Sequence, residues 1–168
     1  MKFKIDKKKR IAIAFSCLFG GVISGISFAQ DTANNHEYSA EGETTIETIN
    51  GLRVITLRDN VFVRQGDIEL TGDIAVLEYN QSNQLQQVRV NGTPANFEQQ
   101  ASADADIVTG NSETINYYAS TEGVVEFIGS ANFNQPGTTL SCAQIRHTIT
   151  TGATSGQACS GSLSPQNN

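Results

Sequence analysis

After Lys9 the 168-residue chain contains no lysine, no tryptophan and no methionine. It has three prolines and three cysteines, and aromatics make up only 7% of it. Each scarcity removes a class of function. Phosphate recognition depends on clustered Lys and Arg, so nucleic acid is excluded as an expected partner. A purely electrostatic hold on an anionic membrane is excluded for the same reason. No window keeps a 3.6-residue apolar period, which argues against a helical bundle. No HExxH or paired Cys-x-x-Cys is present, so no metal site is expected. No glycine-rich loop leads into a helical pattern, and no cofactor is expected either.

The N-terminus differs from the rest. Lys2, Lys4, Lys7, Lys8, Lys9 and Arg10 precede an apolar stretch over 11–26, and Ser27-Phe28-Ala29 puts small residues before Gln30. This order predicts a cleavable secretory signal over 1–29. The apolar stretch is short for a membrane span, which needs about 20 residues, and it holds Gly20, Gly21 and Gly25. An uncleaved anchor is the weaker reading. Lipidation at Cys17 would split the apolar stretch. Beyond residue 29 there remain five arginines and sixteen acidic residues, a net charge of 5 − 16 = −11. An anionic ligand would have to be held mainly by something other than charge.

What is present is strand chemistry. Residues 54–79 read VITLRDNVFVRQGDIELTGDIAVLEY, apolar at mostly alternate positions around a tight turn. A degraded copy follows seventy positions later, from Val124. It places Leu57 on Phe127, Val63 on Phe133, Gln65 on Gln135 and Leu70 on Leu140. Asn50-Gly51 is a strong hairpin dipeptide. Asp59-Asn60 reads as a kink. Ile68 and Leu70 are even while Ala75, Leu77 and Tyr79 are odd, so Thr71-Gly72 is expected to be a bulge. Thr109-Gly110 and Tyr117 repeat Thr71-Gly72 and Tyr79 thirty-eight residues on. Asn91-Gly92-Thr93-Pro94 reads as a turn. Residues 30–44 are polar and read as a flexible lead-in, and 161–168 as a disordered tail. One all-β domain is expected over 45–160, built from consecutive antiparallel hairpins.

An export signal places Cys142 and Cys159 in an oxidising compartment. The midpoint (142 + 159)/2 = 150.5 falls at a plausible turn near Thr151-Gly152, so the two are expected to face each other across a hairpin. A redox-active pair is the weaker alternative, because CxxC spacing is missing. His36 lies in the lead-in and His147 in an expected strand. Cys142 and His147 are five apart, a spacing that on a regular strand sets them on opposite faces, so no nucleophilic pair is expected. Asp104 and Asp106, two apart, have the spacing of a carboxylate pair on one strand face, but a solvated loop is the stronger expectation for them. No catalytic residue is assigned; a hydrolase ranks last.

The hairpin Leu57-Arg58-Asp59-Asn60-Val61-Phe62-Val63-Arg64-Gln65-Gly66, followed by Ile68-Glu69-Leu70-Thr71-Gly72-Asp73-Ile74-Ala75-Val76, resembles the OstA/LptA-like family of periplasmic lipopolysaccharide transport proteins. Asn91-Gly92-Thr93-Pro94-Ala95-Asn96-Phe97 is similar to the family's Gly-x-Pro-Ala-x-Phe segment, and Ile128-Gly129-Ser130-Ala131 to a later strand. The family commonly carries lysines, and its members seldom carry this cysteine pair. The resemblance implies a slightly twisted, open single-domain β-jellyroll with an apolar groove. Its implied partners are lipopolysaccharide, jellyroll domains of inner- and outer-membrane transport components, and further copies head to tail. Acyl chains shielded in such a groove gain about 0.8 kcal/mol per CH₂. The groove candidates are Ile55, Leu57, Val61, Val63, Ile68, Leu70, Phe97, Ile115, Tyr117, Phe127, Phe133 and Leu140. Each is equally an ordinary core residue. Arg58, Arg64, Arg89 and Arg146 are candidates for phosphate contact at the groove mouth, or plain surface charge. Two alternatives share these features: an assembly protein that never touches lipid, and an inner-membrane-anchored subunit of the same pathway.

Overall fold

A computed structural model describes residues 36–100 and 105–164. The expected signal over 1–29 lies outside them. Ten strands follow in order: β1 His36–Ser39, β2 Thr44–Ile49, β3 Leu52–Gln65, β4 Ile68–Tyr79, β5 Leu85–Gln99, β6 Val108–Tyr118, β7 Val124–Gln135, β8 Thr138–Thr148, β9 Ala153–Gln157 and β10 Ser160–Leu163. They form one antiparallel sheet in the order β1-β3-β4-β5-β6-β7-β8-β10, with β2 also on β3 and β9 also on β8. Every long strand therefore pairs with its sequence neighbours, as a succession of hairpins requires.

A line of bulges crosses the sheet. The register shifts between Arg58 and Val61 on β3, and between Thr71 and Ile74 on β4. It shifts again between Asn91 and Ala95 on β5, Asn111 and Thr114 on β6, and Ile128 and Ala131 on β7. Bulges bend the strands that carry them. The line divides the sheet into two layers. One holds 52–58, 74–79, 85–91, 114–118, 124–128 and 144–148; the other holds 61–65, 68–71, 95–99, 108–111, 131–135 and 138–142. The short edge strands divide the same way. β2 and β9 flank the first layer, β1 and β10 the second.

The seventy-residue repeat is structural. In β3–β4 the paired numbers sum to 132 at Arg53↔Tyr79 and 133 at Val61↔Gly72. In β7–β8 they sum to 272 at Val124↔Thr148 and 273 at Ala131↔Cys142, each 140 higher. The bulges match in backbone as well: Asp59 and Asn60 have φ 63° and 50°, Gly129 and Ser130 have φ 81° and 49°. The Asp59-Asn60 kink, the Thr71-Gly72 bulge and the Asn50-Gly51 turn stand where the sequence placed them.

Three expectations are corrected. Asn91-Gly92-Thr93-Pro94 is not a reversal. Asn91 pairs with Thr114 and Ala95 with Ser112, so β5 runs on through the segment, which contains a cis Thr93–Pro94 peptide. The lead-in is ordered from His36, because β1 completes a ladder on β3. The tail is a strand as far as Leu163, because β10 does the same on β8. Both edge strands are almost wholly exposed and lack an apolar pattern. Their order comes from backbone pairing, which residue type does not announce.

Candidate functional site: the apolar interior between the layers

Strand alternation sends one set of side chains between the layers. Two left-handed residues at Asp59 and Asn60 let β3 bend while Ile55, Leu57, Val61 and Val63 all stay inward. On β4 the bulge flips the phase, so Ile68 and Leu70 are joined inside by Ala75, Leu77 and Tyr79. Eleven of the twelve sequence candidates are at most 5% exposed and share one cluster: Ile55, Leu57, Val61, Val63, Ile68, Leu70, Phe97, Ile115, Tyr117, Phe127 and Phe133. Leu140 packs against it, half-buried. The structure therefore brings all twelve into one interior.

Aromatic rings cross the fold line. Phe127, in the first layer, meets Phe97 and Phe133 of the second at centroid distances of 5.6 and 5.8 Å, both edge-on. Such contacts add about 0.5–1.5 kcal/mol beyond burial. His147 tilts against Phe133 at 4.8 Å and is 2% exposed. Burial lowers its pKa, so the ring is held neutral. Its Nδ1 lies 2.9 Å from the Thr154 hydroxyl. The sequence reading left His147 without a role, yet the repeat contained the signal, since position 147 corresponds to Leu77. Val88, Val90, Val125 and Ile145, each 0% exposed, were also left off. Their alternation within β5, β7 and β8 marks them.

The layers approach each other at one rim through two clefts. One, about 490 Å³, separates His36 and Gln65 from Asn83, Gln84, Leu85 and Ala119. The other, about 190 Å³, lies between Gln65–Ile68 and Tyr117, Ser120, Ile149 and their neighbours. Burial lowers the His36 pKa. Burial first, then the Asp67 carboxylate, raises that of Tyr117. His36 also sets its ring edge-on to Tyr79 at 5.9 Å, linking second layer to first.

The arginines lie on the outer face. Arg64 pairs with Glu69 and with Glu37, Arg146 with Glu126, and Arg89 donates to the Asn116 side-chain carbonyl at 3.0 Å. Two of the four phosphate candidates are thus occupied by carboxylates. Among the described residues no cluster of three or more metal-ligating side chains occurs. Cys142 and Cys159 are disulfide-bonded, with Cα atoms 4.1 Å apart. The flanking pairs Gln144↔Gln157 and Ser160↔Ser141 share the sum 301, so the cysteines face each other as the midpoint argument required.

An antiparallel sheet folded once over an apolar interior, with its first and last strands unpaired to each other, defines an open β-jellyroll. The family model described as "LptA/(LptD N-terminal domain) LPS transport protein" matches residues 44–153, and the chain belongs to that family. Lipopolysaccharide export system protein LptH of Pseudomonas aeruginosa is 32% identical over 87 residues, 52% of this chain and 49% of that protein. The match spans about half the length of this relative. The crystal structure of LptH, the LptA-homologous periplasmic component of the lipopolysaccharide transport device of the same organism, superposes with a TM-score of 0.67 at 23% identity. It covers 80% of this chain and 99% of the other, a likeness of fold.

Proposed function

We propose that the chain is a periplasmic carrier that passes lipopolysaccharide from inner-membrane to outer-membrane transport components, shielding the acyl chains between its two layers. The supporting observation is the continuous apolar interior, shared by all twelve candidates and lined by side chains from all six long strands. A ligand held through acyl chains needs no basic patch, which agrees with arginines paired on the outer face. The chain carries no catalysis in this reading.

Room for acyl chains comes from parting the layers. Every ladder joins segments of the same layer and none runs from one layer to the other, so the layers separate at the rim without breaking a strand-to-strand hydrogen bond. The cost is apolar contact, which the acyl chains replace as they enter. The rim clefts beside Gln65 are where that parting starts. Unpaired edge strands supply the docking sites for other jellyroll domains and for further copies.

Photocrosslinkers at Leu57, Phe97 and Phe127 test the reading in cells. Lipopolysaccharide adducts are expected at all three, and none at Arg58 or Glu47 on the exterior. Adducts at the exterior sites alone would sink it.

A further inference from the structure

We propose that the Cys142–Cys159 disulfide builds the C-terminal docking edge, so that head-to-tail pairing of this chain depends on oxidation. The inference rests on the head-to-tail reading above and adds a condition to it.

The strands behind that edge have little else to hold them. Every residue of β10 is exposed, and so is every residue of β9 except half-buried Thr154. Leu163, the one large apolar side chain on them, is 83% exposed. Among the described residues, besides backbone bonds to β8 and Gly137, β9 and β10 are anchored by the Thr154–His147 contact and by the disulfide. The bond sits where β9 gives way to β10, beside Ala158 with φ 52°. Gly156 leaves the space it occupies, since a Cβ there would overlap both sulfurs.

Strand direction shows what this edge does. Along β1-β3-β4-β5-β6-β7-β8-β10 every step is antiparallel, so β10 runs opposite to β1. A second copy stacked in the same orientation presents its β1 antiparallel to β10 and its β2 antiparallel to β9. With β9–β10 released, that copy would meet β8 in parallel, the slightly less stable pairing. The two edges also match in shape. Each consists of two short strands broken at the fold line, four and six residues against five and four.

The chemistry of the edge fits as well. Natural edge strands are usually blunted with charge. From Thr148 to Asn168 the sequence has no charged residue. Just past β10 the Ser164 N–H bonds to the Gly137 carbonyl at 2.9 Å, which in an alternating ladder turns the Gly161 and Leu163 N–H groups outward. Tyr38 and Ile46 pair with the inward Val63 and Ile55, so they lie on the interior face of the opposite edge, 38% and 61% exposed. Joining the edges would continue the apolar interior from copy to copy.

Sedimentation velocity over a range of concentration tests this on the purified protein. The oxidised protein is expected to gain mass with concentration. The Cys142→Ser/Cys159→Ser variant should need at least tenfold more protein for the same gain, with its far-UV circular dichroism retained. Leu163→Pro keeps the disulfide and removes one outward donor; it should show a loss in the same direction, which locates the pairing at this edge, and wild-type protein held in thiol reductant decides the dependence on oxidation if the double variant unfolds. Wild-type assembly by either folded variant overturns the proposal, as does an oxidised protein that stays monomeric throughout. Lipopolysaccharide capture at Phe127 in the same samples is expected to be unchanged. Its absence in all of them would count against the carrier reading instead.

Discussion

The ring of Phe127 fills the space that a side chain at Gly110 would need. Gly110 lies on β6 opposite Phe97 and Phe133, so its bare backbone lets three rings gather at the fold line. Phe127 is 0% exposed and cannot swing into solvent. Gly110→Ala is therefore expected to cost about 1–3 kcal/mol through overpacking. Urea unfolding measures it. Combining Gly110→Ala with Phe127→Leu should recover part of the loss, and equal additive losses would show that the ring is not the obstacle.

A second prediction concerns the bend itself. Gly129 combines φ 81° with a side-chain approach from Glu113, and it stands where Asp59 stands in the first repeat. Gly129→Val forces a β-branched residue into the left-handed region and should destabilise by about 1–3 kcal/mol. Asp59→Gly meets no such penalty and is expected to be near neutral. Thermal unfolding of the two variants separates them; equal losses would mean that the bend does not depend on backbone conformation.

Where alternation carried the signal, the sequence was readable. The inward sets on β3 and β4, the phase change at Thr71-Gly72 and the pairing of Cys142 with Cys159 all followed from period two or from hairpin arithmetic. Asn91-Gly92-Thr93-Pro94 misled because its residues favour both a reversal and a bulge, and only the pairing of Asn91 and Ala95 to β6 distinguishes them. HEYS and SGSL gave no signal, since an exposed edge strand buries nothing and is ordered by its neighbour's backbone. The interior as one body was legible, whereas its two-layer division was not. That division depends on five bulges falling in line, a relation between strands rather than within one.

The disulfide has a local consequence that hydrogen exchange can read. Closing a 17-residue separation is worth about 3 kcal/mol in the chain-entropy model. Because β9 and β10 bury almost nothing, that stabilisation is concentrated in them. Reduction should speed exchange of amides in 153–163 by at least tenfold, while those of β3 to β7 hold their protection. Uniform acceleration across the sheet would instead make the bond a support of the whole fold.

Stability should also fall with acid through the buried histidine. His147 has a folded-state pKa below its ordinary 6.5 because burial disfavours the charged ring. Below about pH 6.5 the unfolded chain then binds more protons than the folded one, so stability decreases as pH drops through that region. Above it, His147 is neutral in both states and contributes no slope. His36 is shifted the same way, also by burial, and adds to the effect. Replacing His147 by Leu, the residue at the matching position 77, should flatten the slope of unfolding free energy between about pH 5 and 6.5. The part due to His36 should remain, and a further change to His36→Asn should remove it. Urea titrations at several pH values measure the slope. An unchanged slope in His147→Leu would show that this ring accepts its proton without opening the layers.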